Sequence, residues 1–552
     1  MRFMNRRTLI AFSLALFTTP ALAQSFRVQC PEVTSLHPGL CTGGSNAGKA
    51  CTAATDCPGA GASCDPDPSH PGQIMCQHVG GGDGYATMGD GHQIYLFAFS
   101  PLSGLADLEK GLPGTEPAKV FNAGYTGPNY STAGLGTCSG GTNPLAPTQA
   151  TCRVITDCPD STTAGVVCQL PAGTDVAASA SNGAVTEPAG IMDMGVLAGN
   201  APAPLIAIDE DDELFLTLSN PGMIMRPDLF EQHTIHFHGY PNASSFFDGV
   251  PDASVAINIA GSFTYYYTAP DAGTYFWHCH ITPPEHLQMG MVGQLYVRPR
   301  QDRVPATADL GVALLAANKR AAVDPAATGR SCSDLLCTGQ TPLPVGAAAS
   351  GATGVTGGAK YAYNDGDGST RYDVEYPIQM MGFDPNFHYV GMTFNPEAFA
   401  DMKDKYFLLS GRSYPDTVTP GPISTVAADG VARPSQPLPS LITISKSAGQ
   451  TRALLRLSDL SVTEHVTLAT IGVPMRVIAQ NARLLRDLAG GDTTYLTNSI
   501  TMGGGESADV ILDVSDPRYQ PGQTFFLYST NLDHLSNDAE NFGGMMTEIR
   551  IN

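Results

Sequence analysis

Six of the thirteen histidines in this 552-residue chain fall in two short segments. The first is His233-Thr-Ile-His236-Phe-His238-Gly239. The second is Trp277-His278-Cys279-His280-Ile-Thr-Pro-Pro-Glu-His286-Leu-Gln-Met289-Gly-Met291. In a β-strand, side chains two apart share a face and neighbours point opposite ways. His236 and His238 then point together, as do His278 and His280, while Cys279 points away from its two neighbours. Two metal sites on opposite faces of one sheet follow. One has four imidazoles. The other has a thiolate that can be joined by His233, His286 and Met291. A Cys with two His and a weak Met is the ligand set of a blue electron-transfer copper. Imidazoles and a thiolate without carboxylates favour copper over a hard cation or a two-His-one-carboxylate iron, with zinc as the competing metal. Satisfied core histidines and a packing Met291 are the bland alternative. They leave unexplained two His pairs around one Cys.

That Cys is also the odd one arithmetically. Residues 1–23 carry arginines, then an apolar run from Leu9 to Phe17, then Ala21-Leu22-Ala23. This predicts a secretory signal peptide cleaved before Gln24, and a periplasmic or secreted protein. The adjacent Arg6-Arg7 also fits twin-arginine export. Disulfides are favoured in such compartments, and there are thirteen Cys. Cys41, Cys51, Cys57 and Cys64 form one cluster; Cys138, Cys152, Cys158 and Cys168 form another. Both follow Cys-x-Gly-Gly-x-Asn, a Cys, Thr-Asp-Cys-Pro, then a Cys. Two copies of a small disulfide module are expected, with two bridges each. Cys30 with Cys76, and Cys332 with Cys337, are candidate pairs, although spacing fixes no connectivity. Cys279 is left over.

Short β-branched or aromatic segments split by Gly, Pro and Asp predict strands at 204–208, 214–218, 233–238, 262–267, 273–278 and 291–297. The fold class expected is all-β: tandem β-sandwiches with a disulfide-rich extension and insertion. The organisation reads as a leader (1–23), a Cys-rich extension (24–80), a copper-binding domain (81–302) with an insertion at about 122–185, a linker (303–360) and a second sandwich (361–552). One short helix is expected in DLGVALLAANKRAA, residues 309–322. The acidic loops at 209–213 and 364–368 read as solvated turns. With 29 Lys plus Arg against 51 Asp plus Glu, no basic patch is available for nucleic acid. No window after the leader is apolar for 18 residues, so no membrane insertion is expected.

The pattern resembles the multicopper oxidase family, which includes laccases, and its relatives the copper nitrite reductases. Both are built from cupredoxin-type Greek-key sandwiches. The resemblance rests on the two His-rich segments, with Asp248-Gly249-Val250-Pro251 and Gly273-Thr274-Tyr275 between them. It is strong over about 190–300 and weaker over about 400–552. It implies that His233, Cys279, His286 and Met291 hold type 1 copper, with Met291 axial. It implies a type 2 ligand in His236 and type 3 ligands in His238, His278 and His280. A small reductant, phenolic or a metal ion, would then be oxidised at type 1 copper. Electrons would pass through Cys279 to His278 and His280, and dioxygen would be reduced to water.

The second sandwich departs from this pattern. A full trinuclear cluster in the family takes eight His from two domains, and this chain supplies four. Ala469, Thr470 and Ile471 precede Gly472 where histidines are expected, and Ser529, Thr530 and Asn531 stand in for His-Cys-His. Only His465 and His534 lie nearby. Three arrangements follow: a homo-oligomer whose copper domains share ligands, a simpler nitrite-reductase-like type 2 site, or a blue-copper electron-transfer protein. Nitrite reductases usually carry Asp at the place of His236 and lack a His at the place of His280, which counts against nitrite.

Overall fold

The computed structural model describes residues 26–67, 72–125, 182–239, 244–269, 271–309, 357–391, 398–487 and 491–552, with the backbone of three strands between 136 and 169. The leader, the expected helix at 309–322 and the Cys332–Cys337 pair lie outside the described residues. So do the cross-links of the second Cys module.

The fold is all-β, with cupredoxin-like sandwiches. One sheet of the first sandwich orders Ile206–Asp209, Val292–Arg298, Gly273–His278 and His236–His238. The facing sheet orders Ser262–Thr268, Glu213–Ser219, Ile74–Thr87 and Gln93–Pro101. The predicted strands are found within three residues of their expected ends. The two histidine segments are neighbours, with His236 opposite His278, Phe237 opposite Trp277 and His238 opposite Phe276. Phe237, Trp277 and Cys279 belong to one buried cluster with Leu216, Tyr265 and Met291. Period-two alternation therefore turns the aromatics and the thiol into the sandwich and the imidazoles out of it.

The second sandwich has a five-stranded sheet centred on Thr524–Ser529 and a nine-stranded sheet centred on Arg452–Asp459 and Val374–Phe383. Its core includes Ile378, Met380, Leu457, Val466, Leu468 and Val510. Polar groups lock it to the first sandwich. Thr274 donates to Asp509 at 2.6 Å, and Ser507 donates to the Thr274 carbonyl at 2.6 Å.

The extension is a three-stranded module cross-linked by Cys41–Cys57 and Cys51–Cys64, and Cys30–Cys76 ties it to the first sandwich. With these sulfurs in disulfides, the module offers no thiolate to zinc. The second module repeats its register: Gly39 faces Cys51 and Cys41 faces Cys64, as Gly136 faces Cys152 and Cys138 faces Cys168. Cys279 is free and buried. The acidic loops are not solvated turns. Asp365 is buried and accepts from Gln301 and Thr370, and Glu210 accepts from Asn364. A buried carboxylate needs such donors, and composition does not reveal whether a loop has them. Among the described residues, no helix is long and apolar enough to cross a membrane.

Candidate metal centre

Cys279 sits where the Gly273–His278 strand ends. Its N–H donates to the Met291 carbonyl at 3.1 Å. Thr282 then takes a left-handed backbone with φ 39°, and the helix Pro283–Gln288 begins with proline in its first turn. That single turn carries His286 back over the thiol. His286 Nδ1 lies 3.2 Å from Cys279 Sγ, and His233 Nδ1 lies 4.0 Å away on the other side. The three ligand atoms lie within 4.8 Å of one another and all three residues are buried. Met291 is fully buried in the same core cluster as Cys279, and its N–H donates to the His286 carbonyl at 2.8 Å. The backbone N–H of Thr234 points at Sγ from 3.4 Å.

Burial alone would push the Cys279 thiol up. The charge of His286 and hydrogen bonds from His233 and His286 outweigh it and hold the thiol well below its usual range. Burial pulls His286 down, but Cys279 and Glu231 raise it overall. Burial depresses His233. The thiolate is thus the favoured form, and thiolate is the form that ligates metal.

The second cluster lies on the other face. Donor atoms of His236, His238 and His278 also fall within 4.8 Å of one another. The His280 ring is 4.9 Å from that of His236 and 5.6 Å from that of His278. His278 Nδ1 donates to the Cys279 carbonyl at 2.7 Å, and His236 Nδ1 donates to the Asp248 carbonyl at 2.7 Å. Each bond fixes the tautomer that leaves Nε2 as a lone pair for a metal. Nε2 of His238 and Nε2 of His278 face each other at 3.0 Å. Burial, reinforced by neighbouring imidazoles, lowers His238 to about 4 and His278 to about 3. Neutral imidazoles converging in this way fit copper ligation. Both clusters fit copper: one has a type 1 donor set, the other is an all-imidazole set of the type 2/type 3 kind.

The donor atoms of His233, Cys279 and His286 come together inside the sandwich, with Met291 in the same buried cluster as Cys279. The rings of His236, His238, His278 and His280 gather outside it. His465 and His534 join neither. His465 is exposed. His534 is buried against Phe407, with its nitrogens on Ser529, Asn531 and Glu464. Three further residues support the sites: Glu231 and Gly81, which carried no sequence signal, and Asp248, which stood only within the Asp248–Pro251 motif. Glu231 places a carboxylate 3.6 Å from His286 Nε2 at the partly exposed edge of the site. Asp248 braces His236. Gly81 lets the His233 ring approach, since a Cβ there would stand 2.5 Å from His233 Cδ2.

Residues 181–302, which contain all eight candidate ligands, match the multicopper oxidase family. Laccase abr2 of Aspergillus fumigatus is 33% identical over 107 residues, which is 19% of this chain and 17% of that protein. Multicopper oxidase MmcO of Mycobacterium tuberculosis is 32% identical over 80 residues, 14% of each chain. The matched stretch thus spans less than a fifth of either relative's length. A blue copper oxidase from Nitrosomonas europaea aligns with a TM-score of 0.40 at 21% identity, covering 64% of this chain and 78% of that one. The likeness to multicopper oxidases is thus carried by the region that holds both clusters.

Proposed function

We propose that this protein is an exported copper oxidoreductase of the multicopper oxidase type. It takes electrons from a small reductant at the Cys279 site and delivers them to the four-histidine site, where dioxygen is reduced to water. One observation carries the reading: two consecutive residues, His278 at the end of its strand and Cys279 just after it, contribute to the two clusters. Copper, when bound, supplies the one-electron chemistry and the oxygen site. The chain supplies the path between them, which is a single peptide unit closed by the hydrogen bond from His278 to the Cys279 carbonyl. It also excludes water from the thiolate, which is fully buried. Glu231, partly exposed and 3.6 Å from His286 Nε2, puts a carboxylate beside this site that a reductant could meet.

The domain division given above and the individual copper roles are part of this proposal, as is export. So is a homo-oligomer in which two copies bring four imidazoles each. A symmetric interface puts the same patch on both partners, so such sharing is geometrically available. The second reading is a blue-copper electron-transfer protein. It is favoured by one observation: no second set of imidazoles faces the cluster among the described residues.

Replacing His280 with Ala is expected to abolish oxygen consumption and leave the blue colour intact. Loss of neither would defeat the oxidase reading. Copper content separates the alternatives. About one copper per chain means the electron carrier, about two a nitrite-reductase-like layout, and about two and a half a three-copper cluster shared by two subunits.

A further inference from the structure

The second sandwich repeats the backbone frame of the Cys279 site bond for bond. Cys279 N–H donates to Met291 O at 3.1 Å, and Ser529 N–H donates to Met545 O at 2.9 Å. Met291 N–H donates to His286 O at 2.8 Å, and Met545 N–H donates to His534 O at 2.8 Å. Val292 N–H reaches Gly290 O at 2.8 Å, and Met546 N–H reaches Gly544 O at 2.9 Å. Across the sheet, His236 faces His278 and Ala469 faces Tyr528. His233 pairs with Ile257, and Val466 pairs with Met502.

These bonds fix the correspondences. Ser529 stands for Cys279, His534 for His286, Met545 for Met291 and Val466 for His233. The residues in the place of His-Cys-His are therefore Tyr528, Ser529 and Thr530, one position earlier than the sequence suggests. The side chains keep the geometry as well. His534 Nδ1 lies 2.9 Å from Ser529 Oγ, where His286 Nδ1 lies 3.2 Å from Cys279 Sγ. Ser529, His534, Met545 and Val466 are all buried.

Volume accounts for the fourth position. Ser219 lies between Gly80 and Ser262, and Ser458 lies between Gln379 and Ser507. Met380 therefore occupies the place of Gly81. The first sandwich has a glycine beside a histidine ring; the second has a methionine in the same apolar cluster as a valine. The large and small partners have changed places, which keeps the interior filled.

We propose that the second sandwich carries the frame of a second type 1 copper centre, with its imidazole and thioether retained. The inference rests on reading the Cys279 site as type 1 copper. A serine hydroxyl has the shape of the thiol without its softness or acidity, and Met380 fills the space of the second imidazole. Copper is excluded there by two side chains and a filled space, not by the backbone.

Cys279→Ser in the full chain is the background, and it is expected to lose the blue colour. Adding Met380→Gly, Val466→His and Ser529→Cys is expected to restore an intense thiolate-to-copper band, with about one copper per chain at the new site. A variant that keeps a cooperative melt but stays colourless with added copper overturns the proposal. Should the combined variant not fold, Cys279→Ser with Ser529→Cys alone decides. Cobalt(II) is expected to give a thiolate charge-transfer band there, and its absence overturns the proposal. A copper-loaded native chain that is not blue defeats instead the reading of the first site, and this inference with it.

Discussion

At the scale of single residues, burial sets which protons this protein can hold. His78 is fully buried, with Nδ1 on the Val185 carbonyl at 2.9 Å and Nε2 on Ser219 at 2.8 Å. Burial lowers its pKa to about 3 from 6.5. Above pH 6.5 neither the folded nor the unfolded chain holds this proton. Between there and about pH 3 only the unfolded chain takes it up, so falling pH costs stability, by about 1.4 kcal/mol per unit from this residue. His78→Gln, which keeps one donor for Val185, is expected to remove that share of the acid slope. Denaturant unfolding at several pH values between 6.5 and 4 checks it: an unchanged slope means His78 is protonated in the fold. The two clusters were legible in the sequence because alternation is a local property. Two imidazoles around one thiol specify opposite faces whatever the rest of the chain does. Glu231 was not legible, because its role depends on His286 being carried back by a helical turn 55 positions along the sequence. Asp248 appeared only as part of a four-residue motif.

At the scale of elements, the site depends on two sheets approaching closely at one point. His233 enters the space between them against Gly81, a residue of the long strand Ile74–Thr87. An alanine there would place its Cβ 2.5 Å from His233 Cδ2 and 3.3 Å from Nε2, and a fully buried ring has nowhere to go. Overpacking of this kind costs about 1–3 kcal/mol. Gly81→Ala is therefore expected to lower stability by that amount and to displace His233, weakening the blue band more than it weakens binding at the four-histidine site. Copper titration followed by visible absorption and by total metal separates the two effects. An unperturbed band would mean that the sheets yield instead of the ring. Strand positions were readable from β-branched and aromatic runs. The one-residue offset at Ser529 was not, because it follows from the pairing of Tyr528 with Met546, a contact between strands. The fate of the acidic loops was hidden for the same reason: Asp365 is held by Gln301, 64 residues away.

At the scale of the whole molecule, the two sandwiches share a buried polar seam, with Arg456 at its centre. This side chain is fully buried. It donates to Glu375 at 2.9 Å and to Thr274 at 3.3 Å, and lies 3.8 Å from Asp509 and 4.6 Å from the Tyr296 ring. Thr274 and Tyr296 belong to the first sandwich; Glu375, Asp509 and Arg456 itself belong to the second. Removing one partner of a buried charge cluster costs about 3–5 kcal/mol, because the remaining charges lose their counter-ion while staying dry. Arg456→Ala is expected to cost that much at neutral pH and to loosen the seam, so that the two sandwiches unfold in separate transitions. The loss should shrink in acid. Burial already raises the Asp509 carboxyl, against the pull of Arg456 and the hydrogen bonds from Thr274 and Tyr363. Without the guanidinium it rises further, and a protonated Asp509 needs no counter-ion. Calorimetric melts of the variant at pH 5 and pH 8 test both points. A deficit that is equal at the two pH values, or a single transition, would mean that apolar contact and not the charge cluster joins the sandwiches. The four-histidine site depends on the same seam. The Gly503–Gly505 turn of the second sandwich lies against the His238 ring, with a Cβ at Gly505 falling 3.5 Å from Nδ1. A loosened seam should therefore weaken metal binding at His238 before it reaches the Cys279 site, which lies wholly within the first sandwich.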